Sequence, residues 1–106
     1  MHTEHTKLVR DHIPEIIRKD GRSCATLILS QIEYVAALRQ KLIEEAQEAA
    51  TTDPANLVSE LADICEVMDA LAAALSIEKA DILHEQVRKR AERGGFEQRI
   101  CLMWTE

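Results

Sequence analysis

A chain of 106 residues with a net charge of −6 and 3% aromatic residues lacks the basic surface that binding to a nucleic-acid backbone requires, so no stable nucleic-acid partner is expected. No apolar run approaches the roughly 20 residues that cross a bilayer, and the opening MHTEHTKLVR lacks the apolar stretch of a signal peptide, so a cytoplasmic protein without a membrane partner is expected. Cys24, Cys65 and Cys101 are odd in number and include no CxxC pair, which argues against a disulfide framework or a zinc ribbon and for reduced thiols.

Alanine, leucine, isoleucine, glutamate, lysine and arginine dominate, and these side chains lose little freedom in a helix, so an all-α fold in a single domain, 1–106, is expected. The first predicted helix lies in HIPEIIRKD, with Asp11 as its cap, Pro14 in the first turn and Gly21 as its stop. Residues 24–29, CATLIL, form a short apolar run that is a candidate extended segment. Ser30 and Glu33 have the spacing of a capping box, which predicts a long helix over 31–51. Asp53-Pro54 supplies the next cap and first-turn proline, opening a second long helix to about residue 75. Ser76 is the expected cap of a third helix through EKADILHEQVRKRAER, which Gly94-Gly95 would stop. The tail, 96–102, is a second candidate extended segment, able to pair with 24–29. Two long helices joined by a short turn make an antiparallel hairpin. Each has more apolar surface than its neighbour can cover, so a bundle completed by oligomerisation is expected, as a homodimer or homotetramer.

Charge is segregated along the chain. Residues 31–69 carry nine acids against two bases, Arg39 and Lys41, while the remainder is nearly balanced. On the first long helix Val35, Leu38, Leu42, Glu45 and Ala49 fall at spacings of three and four, which puts Glu45 on the leucine stripe. Glu48 follows one turn on, with Glu44 adjacent. On the second, Leu57, Glu60, Ile64, Val67 and Leu71 form a similar stripe, and Asp63 lies one turn from Glu60. A lone EExxE is simply a solvated helix face. Two acidic pairs in register with leucines on neighbouring helices are different, because clustered carboxylates at an apolar seam repel one another and lose solvation. A hard divalent cation, Mg2+ with Mn2+ as substitute, accepts such oxygen ligands.

These residues resemble a known family. EEAQE followed by ELAD is similar to the EExxE and ExxD signature of the MazG-like nucleoside triphosphate pyrophosphohydrolases, a superfamily that includes phosphoribosyl-ATP pyrophosphohydrolase. KLVRDHIPEII and KRAERGGFEQRI resemble the two ends of a small, single-domain, phosphoribosyl-ATP pyrophosphohydrolase-like branch, so the likeness runs over roughly residues 7–102. It implies an oligomeric all-α bundle and Mg2+-dependent hydrolysis of a nucleoside triphosphate to monophosphate and pyrophosphate. By motif position it implies Glu45, Glu48, Glu60 and Asp63 as metal ligands. Only eleven residues separate Glu48 from Glu60, which demands a tight turn, and a second ExxD, Glu66 and Asp69, lies one step further along.

A polyphosphate brought to four carboxylates needs cations. Lys7, Arg10, Lys89, Arg90 and Arg93 are the candidate phosphate contacts, since arginine forks match phosphate oxygens, and the N–H groups of Gly94 and Gly95 can add an anion nest. The expected reaction is in-line attack of water on the α-phosphorus, with Glu44 or Glu48 taking the proton and pyrophosphate leaving. Two alternatives stand beside a nucleotide-pool hydrolase. One is phosphoribosyl-ATP as substrate in histidine biosynthesis; the other is a non-catalytic helical dimerisation module. The four histidines, Tyr34 and Trp104 are assigned no site.

Overall fold

The computed structural model describes residues 6–106, which places His2 and His5 outside the described residues. All regular structure among the described residues is helical. The chain packs as two compact units, one ending at Ser76 and the other running from Ile77 to Glu106.

The first unit contains α1 (Ile13–Lys19), α2 (Gln31–Thr51), a single 3-10 turn (Pro54–Asn56) and α3 (Leu57–Ala74). Helix α2 begins where the sequence predicts, because Ser30 accepts from the Glu33 N–H at 3.2 Å while Glu33 accepts from the Ser30 N–H at 3.0 Å. This reciprocal pair satisfies two of the donors that a helix start leaves open. Helices α2 and α3 are packed together as a hairpin. Its antiparallel sense is visible at the open end, where Gln31 Nε2 at the start of α2 donates to the Ala74 carbonyl at the end of α3, 2.7 Å away.

Several predicted boundaries are corrected. Asp11 does not cap α1: His12 occupies the N-cap position without a side-chain bond. A backbone bond from Ile13 N to Arg10 O, 3.1 Å, closes the preceding turn instead, and Pro14 has no N–H to satisfy. Asp53 likewise makes no side-chain cap. Its carbonyl accepts from Asn56 N at 2.9 Å, so the chain enters α3 through a 3-10 turn.

In the second unit α4 spans Lys79–Arg93, with Glu78 rather than Ser76 at the N-cap. Ser76 adopts φ 55°, a left-handed conformation unlike the extended one an N-cap takes, and α4 starts only at Lys79. Gly94, at φ 84°, ends α4 as expected. Residues 24–29 and 96–102 contain no strand. Phe96–Arg99 is a turn, with Arg99 N bonded to Phe96 O at 3.0 Å, and an isolated two-stranded pairing is marginal in any case.

Leu38, Val67 and Ala72 are buried, and Val35, Leu42, Ile64 and Leu71 are half-buried along the same seam. Fully burying a leucine or valine contributes about 1.5–3 kcal/mol, so this seam is what holds the hairpin. Ile32 and Val58 remain exposed, because two helices have only one shared face, and Ile28, in the segment before α2, is exposed as well. No helix among the described residues is long and apolar enough to cross a membrane.

Ser30→Ala should remove half of the capping box and destabilise the chain by about 1 kcal/mol. In a thermal melt followed by circular dichroism this is a fall in Tm of about 4–8 °C, and Ser30→Asp should retain most of the stability. An unchanged melt for Ser30→Ala would show that the box does not anchor α2.

Candidate metal centre at the closed end of the hairpin

Because the hairpin is antiparallel, its seam changes character along its length. Leu38, Val67 and Ala72 lie towards the open end, while Glu45 of α2 and Glu60 and Asp63 of α3 lie towards the connecting turn. Glu60 and Asp63 are three apart, so both reach the same face of α3. One carboxylate oxygen from each of the three residues lies within 4.8 Å of the other two.

Glu45 is 7% exposed, as deeply buried as the core side chains around it. Its Oε2 and the Oε2 of Glu60 are both buried without a hydrogen-bond partner. Lys41 Nζ stands 3.6 Å from Glu45 Oε1, an i,i+4 ion pair that leaves the other oxygen unanswered. Desolvation, followed by repulsion from Glu48, pushes the Glu45 carboxyl above the ordinary glutamate range, and the attraction of Lys41 only partly offsets this. Asp63 Oδ1 accepts from Arg10 Nη2 at 2.7 Å, and Arg10 Nη1 lies 3.6 Å from Glu66 Oε1. Three carboxylates with oxygens within 4.8 Å of one another, two of which also carry a buried, unpartnered oxygen, make a donor set that a hard divalent cation accepts, so these residues fit the expected Mg2+ or Mn2+.

The sequence-derived ligands are not all brought together. Glu45, Glu60 and Asp63 converge; Glu48, exposed and one turn nearer the end of α2, stays outside the trio. Its carboxylate is nevertheless close enough to repel that of Glu45. Glu44 is half-exposed beside Lys41, at 4.0 Å. In the second ExxD, Glu66 is answered by Arg10. Lys41 is the residue that sequence reasoning passed over, although its i,i+4 spacing to Glu45 was a readable signal.

Of the basic candidates, Lys7 is exposed in the segment before α1, and Arg10 is engaged by Asp63. The others belong to the second unit, where Lys89, Arg90, Arg93, Gly94 and Phe96 line an open groove together with Ile82. Arg90 is bonded to Glu97 in an exposed pair. Arg93 forms no ion pair with a described residue and is the freer cation of the groove.

No family model matches the chain, and no solved structure matches it. A 47-residue stretch is 51% identical to an uncharacterized protein of Mycolicibacterium smegmatis, covering 44% of this chain and 48% of that protein. The match therefore spans about half the length of that relative.

Glu45 predicts a pH dependence of definite sign. An acid with a raised folded-state pKa binds more protons folded than unfolded, so its contribution favours folding in acid and declines as pH rises from 4.5 through the higher folded value. Glu45→Gln should remove that decline. Without metal, the variant is expected to melt above the parent at neutral pH, and Mg2+ should raise the melting temperature of the parent alone. A variant that melts below the parent at neutral pH without metal would contradict the burial argument.

Proposed function

We propose that this protein is a Mg2+-dependent nucleoside triphosphate pyrophosphohydrolase, acting at the α–β phosphate bond. The observation that carries the reading is the pair of buried, unpartnered oxygens, Glu45 Oε2 and Glu60 Oε2, beside Asp63. Solvated surface acids do not leave orphaned oxygens inside a seam. The EExxE and ExxD resemblance to the MazG-like enzymes supports the same residues.

Glu45, Glu60 and Asp63 would hold the cation. When bound, it would supply charge neutralisation at the phosphoryl oxygens and lower the pKa of water. Glu45 is held by burial and Glu60 keeps one oxygen enclosed, so these oxygens are preorganised to meet a charge. Glu48 is the better-placed proton acceptor on α2: it is exposed and forms no ion pair with a described residue, whereas Glu44 is drawn to Lys41. Lys7 and Arg10 offer positive charge from the segment before α1. The exposed Ile28, Ile32 and Val58 support a further element of the proposal, assembly into a homodimer or larger oligomer that covers them.

Those exposed apolar faces also favour the second reading, a helical module that only dimerises. A panel of nucleoside triphosphates with Mg2+, phosphoribosyl-ATP included, separates the readings when pyrophosphate is scored against orthophosphate. Pyrophosphate is the expected product. Glu45→Ala and Asp63→Ala should each lower turnover by at least about a hundredfold, the scale of losing one preorganised group at a developing charge. Orthophosphate as the sole product would move the attack away from the α-phosphorus. No turnover, with no effect of metal on melting, would leave the dimerisation module.

A further inference from the structure

Arg10 is bound to the carboxylate trio by a contact that no local pattern predicts. It lies 53 residues from Asp63 along the chain, yet donates to Asp63 Oδ1 at 2.7 Å and approaches Glu66 at 3.6 Å. Its backbone is held by the Arg10–Ile13 turn at the entrance to α1. The contact is of an exchangeable kind: the side chains of Arg10 and Asp63 are 56% and 36% exposed, and ion pairs this open to water contribute little net stability. Lys41, by contrast, reaches Glu45 from the same helix and moves with it.

An arginine keeps its charge at any accessible pH. A divalent cation drawn to the trio would therefore meet a positive charge already seated on one of its three ligands. Asp63 cannot satisfy both fully, and the cation with two charges and three carboxylates has the stronger claim. Once displaced, the Arg10 fork stays tethered beside the trio by its backbone turn. Its planar donors suit phosphoryl oxygens in pairs.

We infer that Arg10 is a displaceable counter-ion of the trio, neutralising Asp63 while no divalent cation is bound and released to grip a phosphate-bearing ligand once one is. The inference rests on the trio being a metal site, and it assigns Arg10 opposite effects on metal and on anion.

Mn2+ titrations of the full chain, followed by the electron paramagnetic resonance of the free ion, test it. Arg10→Gln should bind Mn2+ about two- to fivefold more tightly than the parent, the range of an exposed ion pair. Arg22→Gln, which removes the same charge from a pair with Asp20, should bind as the parent does. Inorganic phosphate titrated into Mg2+-saturated protein should bind about tenfold more weakly to Arg10→Gln, the scale of a lost charge-assisted bond. Mn2+ affinity that is unchanged or weakened in Arg10→Gln would overturn the inference and leave the metal site standing, as would unchanged phosphate affinity. Absence of Mn2+ binding in every variant would sink the metal site and this inference with it. Should Arg10→Gln fail to fold, side-chain 15N spectra of the parent decide: Mg2+ should free the Arg10 guanidinium to rotate, and a guanidinium still held by Asp63 at saturating Mg2+ overturns the proposal.

Discussion

A carboxylate inside an apolar seam is the constraint on which the rest of this structure turns. Glu45 lies on the stripe that carries Leu38 and Leu42, and α3 packs against that stripe, so the hairpin cannot close without taking Glu45 out of water. Leaving a charged group there unpaired costs several kcal/mol, comparable with what the buried Leu38 and Val67 together contribute. The hairpin answers by confining the polar load to its closed end. Glu60 and Asp63 come from α3 at the matching level, and Lys41 supplies one partial countercharge from α2. Towards the open end the seam is apolar, and the Gln31–Ala74 bond seals it.

The same constraint gives the segment before α2 a purpose. Helix α1 has seven residues, too short to be stable alone, and its tie to the hairpin includes the reach of Arg10 to Asp63. The N-terminal segment therefore touches the acidic end of the seam through a solvent-exposed pair that contributes little net stability.

In the second unit electrostatics are settled more locally. Arg88 is shared between Glu85 and Glu92, one turn away on either side, and Arg90 is taken by Glu97 beyond the glycines. These pairs stabilise an exposed helix that buries no residue of its own. Among the arginines of KRAER, Arg90 is paired with Glu97, while Arg93 forms no ion pair with a described residue.

What the amino-acid sequence determined is what short-range chemistry controls. The all-α character, the extent of α2, the stops at Gly21 and Gly94 and the placement of Glu45 among leucines follow from rotamer freedom, reciprocal capping, left-handed glycine and the 3.6-residue repeat. Side-chain caps at Asp11, Asp53 and Ser76 were legible as patterns but were not used, because backbone turns satisfied the same helix starts or pointed the residue elsewhere. Glu45, Glu60 and Asp63 were already legible as a set, and what the tertiary structure decided is that Glu48 stays outside it. Glu48 and Glu60 both fit the spacing, but a turn through Pro54–Asn56 sets the level at which α3 meets α2, and that level selects Glu60 and Asp63 to face Glu45. Nor could the sequence by itself seat Arg10 on Asp63, since a contact across 53 residues depends on where the chain folds back and not on any local preference.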